Sequence, residues 1–208
     1  MRVLDLFCGA AGGWSLGLHR AGYTTVAACE VDPARRAAFG HNNPGARLYD
    51  DVRTLTAARL LADLGYLPDI VVGSPTCQDA STANARGKGI DGERTGLFRD
   101  YVRLVGEVRP RWCAAENVPG LRTRGADWVL DALDALGYTC WPIVVGAVHA
   151  GAAHLRKRVW FIACDPSQVG RRPRRQGRSV VAVEGPQHDA LPETVDGPDA
   201  DGEGEPRG

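Results

Sequence analysis

Short apolar runs alternate with amphipathic stretches along the first 164 residues, and this alternation limits the fold more than any other feature of the sequence. Strands that alternate with helices form a mostly parallel sheet with helices on both faces, so we predict an α/β fold of the Rossmann-like kind. The predicted strands are 2–7, 24–29, 70–73, 111–117, 138–145 and 158–163, and the predicted helices are 15–21, 33–41, 54–64, 95–109 and 126–136.

Unusual polar residues cluster directly after the predicted strands. They occur at 5–13, at Glu30, at Asp51, at 74–78 and at 116–117. In a parallel sheet, ligands bind beyond the carboxyl ends of the strands. These residues therefore predict one functional site at that edge of the sheet.

The segment DLFCGAAGG, at 5–13, is a glycine-rich turn between a strand and a helix. Glycines allow the backbone to approach a ligand, and the N-terminus of the next helix suits a phosphate or a carboxylate. Glu30 is placed to accept hydrogen bonds from two ribose hydroxyls, and Asp51 to receive an adenine amino group. Together they predict an adenosine cofactor, but they do not separate NAD from S-adenosylmethionine.

Cys77 lies in GSPTCQ, at 73–78, on a loop directly after a buried strand. Such a position is a poor one for a structural cysteine and a good one for a nucleophile, because backbone N–H groups are exposed nearby. Glu116 follows another strand and could protonate a ring nitrogen. Arg156 and Arg158 would share one face of an extended segment, where they could equally be surface ion-pair partners.

The other cysteines do not indicate a metal site, because none of the six forms a C-x-x-C pair. Cys29, Cys113, Cys140 and Cys164 lie in apolar surroundings and are interpreted as small core residues. No apolar run approaches the length of a membrane span, and the start has no signal-peptide layout. We expect a cytoplasmic protein with no membrane partner.

The composition changes after residue 165, where Pro, Gly, Arg and then acids dominate. We predict a catalytic domain over 1–165 and a largely disordered tail over 166–208, in which only SVVAV, at 179–183, suits a sheet. Five arginines lie at 171–178, while seven acids and one base lie at 189–208. The chain before this acidic end is net basic, which permits nucleic-acid binding without proving it, and the arginine cluster equally suits a solvated tail.

Taken together, these motifs resemble the cytosine-5 DNA methyltransferase family over nearly all of the chain before the tail. DLFCGAAGG resembles the first motif of the family, with Glu30 and Asp51 at the positions of its cofactor-binding acids. GSPTCQ resembles the catalytic Pro-Cys-Gln motif, and GLFRDYVRLVGEVRP, at 96–110, resembles the helix that follows it. ENV, at 116–118, is the Glu-Asn-Val motif, and RKR, at 156–158, resembles the Arg-x-Arg motif.

The resemblance implies an S-adenosylmethionine-dependent methyltransferase fold and methylation of cytosine carbon 5 in DNA. By this resemblance the Cys77 thiolate attacks carbon 6, and Glu116, as a protonated carboxyl, binds or protonates ring nitrogen 3. Arg156 or, more in keeping with the family, Arg158 holds the base at its carbonyl oxygen. In duplex DNA the base is first flipped out. The implied cofactor-binding residues are Asp5, Phe7, Gly9, Gly12, Gly13, Glu30, Val31, Asp51, Val52, Ser74 and Pro75, and the implied substrate-binding residues are Gln78, Ser81 and Asn117.

The chain departs from the family pattern in three places. The first loop has one extra alanine, at 10–11, which could shift the backbone amides away from the cofactor. Thr76 replaces the usual proline, and we predict that it lowers the rate without abolishing it. Barely forty polar residues follow the Arg-x-Arg motif, where the family usually has a target-recognition region, so a partner chain or the loop 79–95 would have to supply sequence specificity.

Four interpretations therefore remain. The first is a compact DNA cytosine methyltransferase. The second is the same chemistry on RNA or on free cytosine nucleotides. The third is a non-catalytic module that keeps the cofactor fold, against which the intact Cys77, Glu116, Arg156 and Arg158 speak. The fourth is an enzyme that needs a second chain for target recognition.

Overall fold

The computed structural model describes residues 1–75, 96–123 and 125–168. Its strands are β1 (Arg2–Leu6), β2 (Thr24–Cys29), β3 (Arg47–Tyr49), β4 (Ile70–Gly73), β5 (Trp112–Asn117), β6 (Thr139–Gly146) and β7 (Lys157–Cys164). Its α-helices are α1 (Gly13–Arg20), α2 (Pro33–Asn42), α3 (Ala57–Leu64), α4 (Leu97–Val108) and α5 (Ala126–Ala135), with short 3-10 helices at Pro119–Thr123 and Ala147–Ala150.

The strands form one seven-stranded sheet in the order β3-β2-β1-β4-β5-β7-β6. The strands from β3 to β5 are parallel, whereas β7 runs antiparallel to both β5 and β6. The predicted mostly parallel α/β fold is confirmed. The direction of β7 places its first residues at the edge of the sheet where β1, β4 and β5 end.

Side-chain caps explain where two of the helices begin. The Asp32 carboxylate accepts hydrogen bonds from the Ala34 and Arg35 amides, and Pro33 occupies the first turn, so α2 begins as predicted. The predicted start of α3 at residue 54 differs from the structure, because the Thr56 hydroxyl, rather than Thr54, accepts from the first turn.

The two faces of the sheet are covered unequally. Helices α3, α4 and α5 pack on one face, where the main core contains Leu4, Leu6, Tyr101 and Phe161. Helices α1 and α2 pack on the opposite face, which we call the α1 face, through two smaller apolar clusters. Burial of these side chains is the main stabilising contribution to the fold.

Several expectations concern residues that lie outside the described ranges. They include the 76–95 segment, the apolar run at 179–183 and most of the predicted tail, so the division at residue 165 stays a prediction. Within the described ranges, no helix has the length and apolar character needed to cross a membrane.

Candidate active site

The site lies where β1 and β4 are neighbours, at their carboxyl ends. The chain leaves β1 toward β2 and β3 on one side and returns to β4 and β5 on the other, so the connections diverge at this point. Such a divergence opens a crevice at the edge of a parallel sheet, which is where ligands bind in this kind of fold.

A cavity of about 710 Å³ occupies this crevice. Its size is within the range of small-molecule and cofactor sites. The predicted residues that line it come from the ends of the first four strands: Phe7, Gly9, Glu30, Val31, Asp51, Val52 and Ser74. The structure also places Cys29, Asp32, Arg35, Arg53 and Leu97 in its wall.

Glu30 links two segments of the cavity wall. One carboxylate oxygen accepts from the Gly9 amide at 2.9 Å, and the other accepts from the Asp32 amide at 3.0 Å. A carboxylate oxygen can accept two hydrogen bonds, so each retains capacity for a ligand hydroxyl. Arg36 stabilises the chain just after β2, because its guanidinium donates to the Glu30 carbonyl at 2.6 Å.

Asp51 lies on the far side of the cavity, after β3. The Arg53 guanidinium binds its carboxylate at 2.7 Å, and this hydrogen bond lowers the pKa of Asp51. Arg103, on α4, donates to the Val52 carbonyl at 2.8 Å and to the Leu55 carbonyl at 3.1 Å. Arg103 therefore fixes the turn that presents Asp51, a role the sequence analysis missed because the residue resembled any charged position on an amphipathic helix.

Asp5 supports the first loop and does not line the cavity. Its carboxylate accepts from the Ser15 hydroxyl at 2.6 Å and from the Ser15 amide at 3.1 Å. The other carboxylate oxygen has no partner among the described residues. Burial raises the pKa of Asp5 to about 7, against the opposing effect of the Ser15 hydrogen bonds.

The backbone of this loop follows a path that few residues tolerate. Phe7 has a φ of 57°, in the left-handed region that side-chain-bearing residues rarely adopt. Gly12 has a φ of 55°, and a Cβ there would lie 2.6 Å from the Phe39 ring. The alanines at 10–11 are exposed on the outside of the turn. The loop therefore accommodates its extra residue at the surface while Gly9 keeps its bond to Glu30.

The loop that leads to Cys77 is anchored on both sides. The Asn117 amide donates to the Pro75 carbonyl at 3.0 Å in a buried contact. On the other side, the Trp14 indole N–H donates to the Ser74 hydroxyl at 3.1 Å. Gly73 is required before them, because a Cβ would lie 2.9 Å from the Leu6 carbonyl oxygen. These contacts therefore fix the backbone of the loop as far as Pro75.

Glu116 and Arg158 form an ion pair beside this anchored loop. The Arg158 Nε lies 2.8 Å from a Glu116 carboxylate oxygen, and both side chains are partly exposed. The pairing of β5 with β7 explains the contact, because Asn117 is opposite Val159 and the next position along β7 is Arg158. A carboxylate and a guanidinium at this distance can bind a polar ring edge together.

Arg156 occupies a different position from Arg158. Strand β7 begins at Lys157, and Arg156 precedes it with a φ of 26° on an exposed turn. The shared face expected for an extended segment therefore does not apply to this pair.

The remaining predicted residues that the structure describes do not line the cavity. Gly12 is the N-cap of α1, Gly13 is its first residue and Pro75 is buried; with Asp5, these residues lie outside the cavity wall. Asn117 is buried and its amide holds Pro75, and its predicted contact with the substrate stays a prediction. Cys77, Gln78, Ser81 and Thr76 lie outside the described residues.

Cys29, Cys113 and Cys164 are buried and Cys140 is half-buried, as expected of core residues.

A Rossmann-like sheet with a cofactor-sized cavity at its switch point is the architecture of S-adenosylmethionine-dependent methyltransferases. The model of the C-5 cytosine-specific DNA methylase family matches residues 1–190 of the chain. The chain belongs to this family, which confirms the resemblance drawn from its motifs. The methyl donor of the family is S-adenosylmethionine, as predicted.

Curated relatives agree with this membership. The chain is 36% identical over 182 residues to the type II methyltransferase M2.BsuMI of Bacillus subtilis, covering 81% of the chain and 44% of the relative. It is 35% identical to the type II methyltransferase M.NgoPII of Neisseria gonorrhoeae, covering 78% and 47% respectively. The chain therefore spans about half the length of the curated relatives it matches.

Solved structures show the same fold. A putative DNA modification methyltransferase encoded within an E. coli prophage superposes with a TM-score of 0.68 at 31% identity, over 80% of this chain and 47% of that one. A DNMT2 variant of Spodoptera frugiperda superposes with a TM-score of 0.65 over 85% of this chain and 53% of that one. The identity to the second is 20%, so it bears on the fold alone.

Proposed function

We propose that the protein is a DNA (cytosine-5-)-methyltransferase that uses S-adenosylmethionine and forms a covalent adduct through Cys77. The observation that carries the proposal is the Glu116–Arg158 pair at 2.8 Å, beside a loop that Asn117 anchors immediately before Cys77. A nucleophile, a carboxyl group and a guanidinium are the groups that cytosine activation requires.

The cavity suits an adenosyl amino-acid cofactor. The remaining acceptor capacity of Glu30 suits the two ribose hydroxyls, and Asp51 suits the adenine amino group. Phe7 and Val31 provide apolar walls for the purine, and Val31 is 67% exposed without a ligand over it. The positive end of the α1 dipole favours the carboxylate of the amino-acid end. When bound, S-adenosylmethionine supplies an electrophilic methyl group.

The residues of the chain activate the base. The Cys77 thiolate forms a bond to carbon 6, and the electron pair of the 5,6 double bond moves to carbon 5, which becomes nucleophilic. Glu116, when protonated, donates to ring nitrogen 3 and stabilises this charge, while Arg158 binds the ring carbonyl oxygen. After the methyl group is on carbon 5, a base removes the carbon-5 proton and the Cys77 thiolate leaves. Glu116 and Arg158 must exchange their mutual bond for bonds to the base.

The substrate that we propose is cytosine in duplex DNA, turned out of the helix before reaction, at a cost of a few kcal/mol. A partner polypeptide that supplies target recognition is part of the proposal; about half of the length of the curated relatives lies outside the match. The same chemistry on RNA or on free cytosine nucleotides is the second candidate, and a catalytically weak module that binds cofactor and DNA is the third. A cytoplasmic location stays a prediction from the sequence.

The test is transfer of labelled methyl from S-adenosylmethionine to duplex DNA, with transfer RNA and cytidine nucleotides assayed in parallel. We expect label on carbon 5 of DNA cytosine. Cys77→Ala is the matched control, because it removes the nucleophile and changes none of the cavity residues described above. The variant should bind cofactor and transfer no methyl.

Two results would contradict the proposal. Label on RNA or nucleotides but not on DNA would replace the substrate class and keep the chemistry. Cofactor binding without transfer to any substrate, with and without a complementing chain, would identify a binding module.

A further inference from the structure

Two tryptophan rings meet beside the loop that leads to Cys77, which we call the Cys77 loop. Trp14 is the second residue of α1, and Trp160 lies on β7. The rings pack edge to face, with centroids 4.9 Å apart and an interplanar angle of 78°. We call these two residues the indole pair. The pair joins the first helix to the antiparallel part of the sheet.

One end of the indole pair is bonded to the Cys77 loop. The Trp14 indole N–H donates to the Ser74 hydroxyl at 3.1 Å, and Ser74 is three residues before Cys77. The indole N–H of Trp160 is buried and has no acceptor among the described residues. Trp14 therefore makes the hydrogen bond that attaches the loop to the pair.

The other end of the indole pair lies beside the proposed acid. Trp160 is directly opposite Glu116 in the antiparallel register of β5 and β7. Side chains of directly opposite residues lie on the same face of a sheet and within reach of each other. Arg158, which binds the Glu116 carboxylate, is two residues before Trp160 on the same strand and so shares this face. The indole pair therefore lies between the Cys77 loop and the Glu116–Arg158 ion pair.

The sheet beneath Trp14 fixes the position of its ring. Trp14 packs against the buried cluster of β1, β4 and β5 that contains Val72. A ring that is held by packing on strands presents its N–H in a defined direction. The bond to Ser74 therefore fixes the Cys77 loop relative to a rigid part of the fold.

We propose that Trp14 is a positioning residue for methyl transfer, which holds the Cys77 loop in place relative to Glu116. The inference rests on the proposed function, which supplies the roles of Cys77 and Glu116. Attack at carbon 6 and donation to nitrogen 3 act on opposite sides of one pyrimidine ring, so both groups must be held at the correct separation at the same time. A displacement of about 1 Å can lower the rate of such a reaction about 100-fold.

The first test is hydrogen–deuterium exchange of the ligand-free chain, measured on peptides that contain residues 74–78. Trp14→Phe keeps an aromatic ring on the sheet and deletes the N–H, so exchange there should become about threefold faster or more. Ser74→Ala deletes the acceptor, leaves the ring packing intact and should give the same increase. The double variant should not exceed either single variant, because both changes remove the same hydrogen bond.

Trp141→Phe is the matched control for this test. It is the same substitution at a residue that lies on β6 and is 48% exposed. Exchange at 74–78 in this variant should equal that of the wild type. A difference confined to Trp14→Phe would therefore come from the bond to Ser74 and not from the loss of an indole as such.

The second test separates catalysis from cofactor binding. The kcat of Trp14→Phe should fall about tenfold, because the nucleophile is held less well. The Kd for S-adenosylmethionine should stay within about twofold of the wild-type value, since Trp14 does not line the cavity. A residue that only stabilised the fold would lower the urea midpoint of unfolding without this division between kcat and Kd.

The inference is overturned if Trp14→Phe exchanges at the wild-type rate at 74–78, or if the effects of Trp14→Phe and Ser74→Ala add in the double variant. In an active enzyme, an unchanged kcat, or a kcat and a Kd that change together, would also overturn it. A wild-type chain that transfers no methyl to any substrate would count against the proposed function, and the exchange measurement would still decide whether Trp14 holds the loop.

Discussion

The two sides of the sheet differ in how completely the chain builds them. In the sheet from β3 to β4 the strands are parallel and carry helices on both faces. Their ends form a cavity wall, and bonds of Glu30 and Arg103 connect separate segments of the chain there. From β5 to β6 the sheet turns antiparallel and presents Glu116 and Arg158, while Trp141 and Ile143 stay exposed. The comparison divides the sheet into two halves. The cofactor half, from β3 to β4, has its segments connected by hydrogen bonds, whereas the substrate half, from β5 to β6, presents the Glu116–Arg158 pair beside exposed apolar residues.

The largest expected effect tests the substrate half. Glu116→Gln keeps a similar side-chain volume but cannot deliver a proton, so methyl transfer should fall about 100-fold or more. Cofactor affinity should not change, because Glu116 does not line the cavity. Steady-state methyl transfer and calorimetric cofactor titration measure the two quantities. A parallel fall in affinity would show that the halves are not separable.

The reverse experiment tests the cofactor half. Glu30→Gln removes one carboxylate oxygen that holds the cavity wall and receives the ribose, so the Kd for S-adenosylmethionine should rise about 10- to 100-fold. Turnover at saturating cofactor should stay close to that of the wild type. A variant with unchanged Kd would remove Glu30 from the proposed cofactor site.

Asn117 is the connection between the halves. Asn117→Ala deletes the hydrogen bond to Pro75, so the Cys77 loop loses an anchor and turnover should fall about tenfold. Because Asn117 acts as a positioning residue, the KM for cofactor should be unaffected. Rescue by Asn117→Gln would argue against the short buried contact as the cause.

Substitution of Gly12 tests whether the first loop requires the backbone conformation that it has in the structure. Gly12→Ala should destabilise the fold by about 1–3 kcal/mol, because the new Cβ meets the Phe39 ring in a left-handed backbone. Gly17→Ala, inside α1 and with open space around its Cβ, should stabilise it by up to about 1 kcal/mol. Urea unfolding of both variants measures the difference, and equal behaviour would refute the packing explanation.

The last prediction concerns the pH dependence of stability. The pKa of Asp5 is raised to about 7 in the folded protein, so the folded state retains its proton at pH values where the unfolded chain has lost it. The stability contribution is therefore complete below about pH 4 and is lost as the pH rises through about 7, at about 1.4 kcal/mol per unit of pKa difference. Asp5→Asn should flatten this part of the stability profile. An unchanged slope in denaturant unfolding between pH 4.5 and 7.5 would contradict the assignment.

The sequence predicted the fold well where the signals are local. Every predicted strand appears, and the bounds of β2 and β4 match the prediction fully, because short apolar runs between turn residues leave little choice. A third strand was expected to end near Asp51, and β3 ends at Tyr49; the sequence did not define its bounds, since three residues are too few for a periodic pattern. The antiparallel direction of β7 was also missed, because strand direction depends on tertiary pairing and not on composition.

The candidate site was predicted more unevenly. Seven of the residues assigned to the cofactor line the cavity, since position after a strand end places them there. The supporting contacts of Arg103, Trp14 and Arg36 were missed, because they join residues far apart in sequence. The roles of Cys77 and Thr76 stay predictions.

Pro142 has a consequence for how the chain behaves in solution. Strand β6 is the outermost strand of the sheet in the described part of the chain, where it pairs on one side only, with β7. A free edge with exposed apolar side chains invites further strands to add, and repeated addition leads to fibrous aggregates. Pro142 has no N–H and interrupts the row of donors in the middle of this strand, so another chain cannot pair along its full length. Pro142 therefore makes the outer edge of β6 a poor template for aggregation.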